Sequence, residues 1–337
     1  MNILSLDIGF SNVKIAYYSP ESGELILDKE INAIAKLPAP PDSKDDKYCF
    51  ALNDNYYVMS SSALKLPRSY HLIVSDYESM REVTPIWISY LLNNYEKELG
   101  ITFDKIAIGL SIAYKDKADD LLQYISDQLL MSPDYFVVLP QGVAAKTCLQ
   151  TYGLSLDPSK RGNYKFESIV LADIGSNTAD IALIASGISS TASAIGLENS
   201  GVCKVLYDIQ SYIFKSTGKQ ISRSEAEVVM MSGNWRSKGR TYDLSKIIHD
   251  ITLNYLINDV LDLFDKDPKI SELIENVDRV VLIGGGGNIW RQFLPELQEE
   301  IQRRGYPKEF FVSPERDAEY FNAISYLLIA KKKFEES

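Results

Sequence analysis

The sequence is poor in the residues that build disulfide frameworks and zinc sites. Its 337 residues include only three cysteines and two histidines. Cys49, Cys148 and Cys203 are an odd number, lie far apart and have no Cys-x-x-Cys spacing, which argues against both kinds of site. We therefore expect reduced thiols, as is typical of a cytoplasmic protein.

Long apolar runs and an excess of positive charge are also missing. No uncharged apolar run approaches the roughly 18 to 20 residues that span a bilayer, and Asp7 interrupts the N-terminal segment, so we expect a soluble, untargeted chain. With 46 acidic and 35 basic side chains, the formal net charge is −11 and the pI is about 4.9, which disfavours a protein that coats nucleic acid. The length and the 45% hydrophobic content are those of two globular domains.

What the chain does contain is a strand-loop-strand pattern that occurs twice. A short apolar run that Asp7 closes (3–7) and a second strand-like run (13–18) flank the loop DIGFSN, and apolar residues 168–172 and 179–185 flank the loop DIGSNT. A short motif recurs by chance, but the same flanking strands at both places do not. The recurrence predicts two related halves, each opening with a β-hairpin.

The remaining segments alternate between strand and helix patterns, which indicates an α/β fold. We predict helices over residues 77–99, 116–130, 200–217, 222–232 and 244–264, and buried strands over residues 105–110, 135–139 and 277–283. Residues 37–47 combine proline with charge and are expected to be exposed, and 157–163 is the candidate linker. The segment GNWRSKGR (233–240) is expected to be a loop, either a surface turn or a contact for a partner.

An aspartate that ends a buried strand and precedes a glycine has a chemical use when two such turns face one another. Glycine lets backbone N–H groups approach phosphate oxygens, and carboxylates hold Mg²⁺ through its water shell. Asp7 and Asp173 would be that pair, and Lys14 would neutralise a phosphate as a point charge. For either loop alone, a plain hairpin turn with Asp as turn former is an equal alternative. Their recurrence favours phosphate binding.

Four consecutive glycines, at positions 284–287, follow the apolar strand DRVVLI and precede a helix that we expect to start near Ile289. Because a glycine run costs backbone entropy, it favours close approach of a flat or bulky ligand over a flexible linker. Neither Gly-Lys-Ser/Thr nor the spacing GxGxxG is present, which disfavours a P-loop and a Rossmann dinucleotide site.

Together these segments resemble the superfamily of actin, sugar kinases and DnaK-type chaperone ATPases over nearly the whole chain. LSLDIGFSNVK (4–14) and LADIGSNTADIAL (171–183) resemble its phosphate motifs, QGVAAK (141–146) and PERDAEYFNAISYLL (314–328) its connecting motifs, and IGGGGN (283–288) its adenosine motif. The form DIGFSNVK, the compact length and the lack of a chaperone-like substrate domain are most similar to bacterial and archaeal actin-like proteins of the ParM and Alp group. Those proteins are plasmid-segregating filament ATPases.

The resemblance implies a two-domain actin-like (ribonuclease H-like) α/β fold with a nucleotide cleft between the halves. Domain I would span residues 1–160, with a small subdomain inserted at about 31–66. Domain II would span residues 161–337, with a small subdomain at about 200–276. The C-terminal helix would return towards domain I.

The resemblance also assigns residues to ATP or ADP and to Mg²⁺. Asp7 and Asp173 would organise Mg²⁺ through water and would be catalytic together with Gln141. The other nucleotide-binding positions are Gly9, Ser11, Asn12 and Lys14 around the β-phosphate, Gly175, Ser176, Asn177 and Thr178 around the γ-phosphate, and Gly284, Gly285, Gly286, Gly287 and Asn288 over the adenosine.

Gln141 occupies the position where actins carry a glutamine and ParM-like proteins often a glutamate, near the attacking water. A neutral amide orients water but cannot deprotonate it, so slow hydrolysis is expected. Asp180, on the strand that leaves the second loop, faces either this site or solvent.

The segment SRSEAE (222–227) resembles the small-subdomain helix whose polar side chains contact ribose or base. Arg223 and Glu227 would make those contacts. The alternative is an ordinary solvated helix start, with Ser222 as the N-cap and Glu225 three residues on.

These features predict an ATP-binding and ATP-hydrolysing actin-like protein that polymerises into cytoplasmic filaments. It would segregate plasmid or other DNA through a DNA-binding adaptor, without touching nucleic acid itself and without spanning a membrane. One alternative is a PilM-like scaffold that binds nucleotide and does not polymerise. Another is a small-molecule kinase of the same fold, which is disfavoured because QGVAAK offers no carboxylate base for an acceptor hydroxyl.

Overall fold

The structure is a computed structural model that describes residues 1–40, 48–154, 168–185, 188–314 and 318–335. The strands, in chain order, are β1 (Ile3–Ile8), β2 (Asn12–Tyr18), β3 (Leu25–Ile31), β4 (Ile34–Leu37), β5 (Cys49–Leu52), β6 (Asn55–Met59), β7 (His71–Leu72), β8 (Lys105–Leu110), β9 (Phe136–Pro140), β10 (Ser168–Ile174), β11 (Thr178–Ala185), β12 (Ile188–Glu198), β13 (Asn234–Ser237), β14 (Arg240–Asp243), β15 (Arg279–Ile283) and β16 (Phe311–Val312). The helices are α1 (Ser60–Ala63), α2 (Tyr77–Leu99), α3 (Ala118–Leu129), α4 (Lys146–Tyr152), α5 (Cys203–Thr217), α6 (Arg223–Ser232), α7 (Ser245–Tyr255), α8 (Asp262–Lys266), α9 (Pro268–Ile274), α10 (Gly284–Arg303) and α11 (Phe321–Glu335).

The chain forms two compact units. Unit 1 comprises Met1–Thr151 together with Tyr320–Ser337, and unit 2 comprises Tyr152–Glu319. The linker expected at 157–163 lies outside the described residues, as do parts of the segments 37–47 and 314–328.

Unit 1 is built on a five-stranded sheet in the order β3-β2-β1-β8-β9. β1 pairs antiparallel with β2 and parallel with β8, so the predicted N-terminal hairpin is present. Leu4, Leu6 and Ile15 are fully buried in this sheet, and α11 packs against β1, β2 and β8. A separate antiparallel sheet in the order β5-β6-β4-β7 is also part of this unit.

Unit 2 repeats the topology of the first large sheet. Its order is β12-β11-β10-β15-β16, with β10 antiparallel to β11 and parallel to β15. Its core has Trp290, Phe264 and Phe311 fully buried around this sheet and its helices. The recurrence in the sequence therefore extends from the two loops to both sheets.

Local signals explain where the main helices begin and end. The Asp76 side chain accepts from the Ser79 amide in a capping box before α2, and Gly100 ends this helix with a φ of +64°. Ser222 and Glu225 form the same kind of box before α6, as the sequence predicts. The helix expected over 244–264 consists of α7, the six-residue π-helix Leu256–Leu261 and α8 in succession.

The loop expected at 233–240 is wrong, because the structure has a β-hairpin of β13 and β14 there. Lys238 and Gly239 adopt positive φ values of 48° and 76°, as a tight two-residue hairpin turn requires. Trp235 is 6% exposed and packs against Tyr242 with ring centroids 5.3 Å apart. The tryptophan therefore belongs to the core of unit 2.

Candidate functional site

The turn between β1 and β2 holds the first group of predicted residues. The Gly9 amide donates to the Asn12 carbonyl at 3.0 Å and closes the turn over Ser11. A Cβ atom at Gly9 would lie 3.1 Å from that carbonyl oxygen and 3.1 Å from Lys14 Nζ. Glycine therefore lets the turn close tightly at the end of the strand that carries Asp7.

The structure gives Asp7 two polar partners inside unit 1. Asp7 and Lys14 are opposite each other on the paired strands, and Lys14 Nζ lies 3.2 Å from Asp7 Oδ2. Gln141 Nε2 donates to Asp7 Oδ1 at 2.8 Å. Lys14, which the sequence assigns to a phosphate, is thus ion-paired with the Asp7 side chain, which is only 5% exposed.

Gln141 is held in a turn that follows β9. Its amide donates to the Leu110 carbonyl at 2.9 Å, and the next residue, Gly142, has a φ of +67° and donates to Asn322 Oδ1 at 3.1 Å. The residues that follow Gln141 form turns, and α4 begins only at Lys146. Since the Asp7 carboxylate accepts, the Gln141 amide presents its Oε1 end as a hydrogen-bond acceptor.

Two side chains that sequence reasoning missed support the first turn. Asn32 donates through Nδ2 to the Gly9 carbonyl at 2.7 Å, and its backbone amide donates to the Ser11 carbonyl at 2.8 Å. Trp87 Nε1 in turn donates to Asn32 Oδ1 at 2.7 Å. Asn32 and Trp87 are 55 residues apart, and no local pattern links either of them to the loop.

The turn between β10 and β11 has the same backbone closure in unit 2. The Gly175 amide donates to the Thr178 carbonyl at 2.9 Å, and a Cβ at Gly175 would lie 3.2 Å from that oxygen. Across the strands Asp173 is paired with Asp180, and the two residues are 5% and 1% exposed. Asp180 is therefore buried, which removes the alternative of a solvent-facing carboxylate.

The backbone carbonyls of the second turn face the residues that lead into α5. Val202 and Cys203 donate their amides to the Gly175 and Ser176 carbonyls at 3.0 and 2.7 Å. The Ser200 amide donates to the Asn177 carbonyl at 3.1 Å, and Asn177 is 4% exposed. These bonds fix the turn to residues 200–203, at the start of α5.

The glycine run lies within the first turn of α10, so the helix expected near Ile289 starts earlier, at Gly284. Gly284 has a φ of +75°, and a Cβ there would lie 2.4 Å from Asp173 Oδ1. Cβ atoms at Gly286 and Gly287 would lie 2.3 Å from Ile174 Cγ2 and 2.6 Å from the Leu282 carbonyl oxygen. A Cβ at Gly285 meets nothing within 4 Å. Three of the glycines therefore let unit 2 pack against itself, and Gly285 alone has open space.

The remaining predicted residues lie on α10 and α6. Asn288 follows the glycines, and its Oδ1 atom is buried with no hydrogen-bond partner among the described residues. Arg223 Nη2 donates to Ser176 Oγ at 2.7 Å, which joins α6 to the second turn. Glu227 lies one helical turn beyond Arg223 and is partly buried.

Cys203 illustrates the electrostatics beside the second turn. Burial raises the pKa of its thiol, while the Arg223 guanidinium acts in the opposite direction. The three cysteines form no disulfide with one another, and Cys148 and Cys203 are buried.

The residues around the two turns fit a nucleotide and Mg²⁺ on chemical grounds. The carboxylates offer only oxygen donors, which Mg²⁺ prefers, and the open side of Gly285 and the unpartnered Asn288 Oδ1 leave room and an acceptor for a ligand. Within the described ranges, no cluster of three or more His, Cys, Asp or Glu side chains could hold a metal by itself. None of the described helices is both long and apolar enough to cross a bilayer.

Comparison with known proteins identifies the fold. Residues 171–296 match the family model described as the C-terminal domain of the archaeal actin homologue MreB-like. The archaeal actin homologue Ta0583 is 15% identical, with a TM-score of 0.70 over 98% of this chain and 100% of its own. ParM in a 15-stranded filament from Clostridium botulinum is 15% identical, with a TM-score of 0.69 over 98% and 99% of the two chains. Bacillus thuringiensis ParM with AMPPNP is 15% identical, with a TM-score of 0.61 over 99% of each chain.

No curated protein sequence matches the chain. The fold predicted from the sequence resemblance is nevertheless confirmed, since the neighbours are archaeal actin homologues and ParM proteins over nearly the full chain.

Proposed function

Because the chain has the two-domain actin-like fold, we propose that it binds ATP with Mg²⁺, hydrolyses the ATP and assembles into filaments. The observation that carries this proposal is the repeated turn. In both units a glycine two residues after a buried aspartate closes the turn, its amide donating to the carbonyl three positions on, at 3.0 Å in one unit and 2.9 Å in the other. A glycine turn of this kind lets backbone N–H groups approach phosphate oxygens, and its repetition supports one phosphate-binding turn in each unit.

We infer the nucleotide contacts from the resemblance and from the side chains at each turn. The turn at Gly9–Asn12 takes the β-phosphate and the turn at Gly175–Thr178 takes the γ-phosphate. The adenosine lies against Gly285 and Asn288. In support, Bacillus thuringiensis ParM has been solved with AMPPNP.

Hydrolysis depends on Gln141 and on the two aspartates. Asp7 and Asp173 would hold Mg²⁺ through its water shell, and the ion would supply positive charge to the phosphates. The hydrogen bond from Gln141 Nε2 to Asp7 fixes the amide so that Oε1 accepts from a water molecule. As an amide, Gln141 orients that water without taking its proton, which gives slow turnover.

The chain also assembles with copies of itself and segregates DNA. The partner is a second copy of the chain, and a filament has been solved for the ParM neighbour from Clostridium botulinum. A chain with a net charge of −11 is poorly suited to bind DNA itself. A DNA-binding adaptor therefore links the filament to the DNA in the cytoplasm.

The test is high-speed sedimentation of the purified chain with Mg-ATP, Mg-ADP or no nucleotide, with phosphate release followed in parallel. We expect a pellet with Mg-ATP, accompanied by phosphate. ATP retained without phosphate release and without a pellet at any concentration would replace this proposal with a nucleotide-binding scaffold. Phosphate transferred to a sugar or acetate in a substrate panel would replace it with a kinase.

A further inference from the structure

Arg223 is placed firmly at the start of α6. Ser222 Oγ accepts from the Glu225 amide at 3.1 Å, and Glu225 Oε2 accepts from the Ser222 amide at 2.7 Å. Arg223 is the first residue of the helix that this capping box fixes. Its backbone position is therefore set independently of any ligand.

The guanidinium of Arg223 lies at the second turn. Nη2 donates to Ser176 Oγ at 2.7 Å. The same guanidinium opposes the rise that burial causes in the pKa of the Cys203 thiol, so it also lies near the residues that lead into α5. The Arg223 guanidinium thus lies beside the turn whose carbonyls accept from the Val202 and Cys203 amides.

One donor of this guanidinium is buried and unused. Arg223 Nε has no hydrogen-bond partner among the described residues. A buried N–H that has lost water and gained no acceptor costs free energy, and an arginine fork matches two oxygens of a phosphate or carboxylate group. The unused donor is therefore suited to an anionic oxygen.

Unit 1 differs in how it uses its cation. Lys14 lies beside the first turn, but its ammonium is 3.2 Å from the buried Asp7 carboxylate. At the second turn Arg223 donates to a neutral hydroxyl, that of Ser176. The positive charge of Arg223 therefore remains available to a ligand at this turn.

We propose that Arg223 binds the terminal phosphate of a nucleoside triphosphate at the turn Gly175–Thr178, and so makes this chain discriminate triphosphate from diphosphate. The proposal rests on the nucleotide binding proposed above. It replaces the ribose or base contact that the sequence resemblance assigns to Arg223. A ribose or base contact would affect both nucleotides equally, whereas a terminal-phosphate contact affects only the triphosphate.

The experiment measures the affinity of the full chain for AMPPNP and for ADP by calorimetry, each with Mg²⁺. Arg223→Ala is compared with Arg223→Lys, which keeps the charge and loses the fork, and with Arg223→Gln, which keeps polar atoms. The matched control is Arg236→Ala, because Arg236 is an exposed arginine on β13 of the same unit. Unfolding midpoints of all variants separate loss of binding from loss of fold.

We expect Arg223→Ala to weaken AMPPNP binding about 10- to 100-fold and ADP binding less than about 3-fold. Arg223→Lys should fall between the alanine variant and the wild type, and Arg236→Ala should match the wild type. Equal losses for both nucleotides would overturn the proposal in favour of a ribose or base contact, and unchanged affinities would overturn it altogether. A wild type that binds neither nucleotide would defeat the proposed function as well, whereas the other contrary results defeat only this inference. If the alanine variant does not fold, the same comparison is made with the glutamine variant.

Discussion

The two hairpin turns share a backbone and differ in the charge that lies opposite their aspartates. Asp7 is paired across the strands with Lys14, whereas Asp173 is paired with Asp180. The closing hydrogen bond and the glycine are the same in both. The shape of the turn therefore requires glycine in both units. The residue opposite the aspartate on the paired strand differs, being Lys14 in unit 1 and Asp180 in unit 2.

The two units therefore differ in the electrostatic surroundings of their buried aspartates. In unit 1 the protein itself neutralises the buried aspartate, with Lys14 at 3.2 Å. In unit 2 two carboxylates on adjacent strands lie on one face, and like charges so placed repel. The residue opposite the buried aspartate is therefore basic in unit 1 and acidic in unit 2.

The largest expected effect is on catalysis. Asp173→Asn removes a carboxylate while keeping its size, and we expect phosphate release from Mg-ATP to fall at least about 100-fold while nucleotide binding persists. The control is Asp208→Asn, because Asp208 is an exposed aspartate on α5 of the same unit. Unchanged phosphate release in Asp173→Asn would remove Asp173 from the site.

The glycine run offers a second test, which is specific to unit 2. Gly284→Ala places a Cβ 2.4 Å from Asp173 Oδ1 at a φ of +75°, and we expect it to lower the free energy of unfolding by about 2 to 4 kcal/mol. Gly285→Ala meets open space, so its effect should stay within about 1 kcal/mol. Urea unfolding of both variants measures the contrast, and equal losses would show that the close approach to Asp173 does not matter.

The third test addresses the charge opposite each aspartate. Lys14→Met leaves Asp7 without its cation and should cost about 1 to 3 kcal/mol, whereas Asp180→Asn takes no cation away from Asp173 and should change the free energy of unfolding by less. Unfolding is measured at low ionic strength without Mg²⁺.

A double-mutant cycle serves as the control for this third test. In an Asp7→Asn background, Lys14→Met should lose most of its cost, since the ion pair is already gone. A cost that persists unchanged would mean that the lysine stabilises unit 1 by packing and not by its charge.

The smallest expected effect is at the glycine that both turns have in common. Cβ atoms at Gly9 and Gly175 would lie 3.1 and 3.2 Å from the carbonyl oxygens that close their turns. We expect Gly9→Ala and Gly175→Ala each to cost about 1 kcal/mol, and to differ by less than about 0.5 kcal/mol. A large difference in unfolding free energy between them would show that the two backbones are not equivalent in energy.

Local patterns were enough to predict the hairpins, α2 and the capping box at Ser222, because each depends on residues close in sequence. The hairpin at Asn234–Asp243 was missed because three basic residues concealed its strands, which a turn at Lys238 and Gly239 connects. The sequence indicates a ligand at the glycine run, but it does not show that Gly284 lies against Asp173, more than a hundred residues away in sequence.

The predicted site lacks the contacts that join residues far apart in sequence. Side chains on the strands and turns were identified, since Asp and Gly at a strand end form a local signal. The bonds that position them, from Asn32 to Gly9 and from Arg223 to Ser176, join distant segments through single contacts. Such contacts depend on packing between elements, which a single sequence does not display.

Unit 1 is discontinuous, and this has a consequence for synthesis on the ribosome. Its closing helix α11 is separated from the rest of the unit by the whole of unit 2, and Ser5 Oγ donates to the Ala323 carbonyl across 318 residues. At about 5 to 20 residues per second, translation of unit 2 delays that helix by roughly 10 to 30 seconds. The half made first is therefore the last to be completed, and a nascent chain cut short in unit 2 leaves β1 without its covering helix.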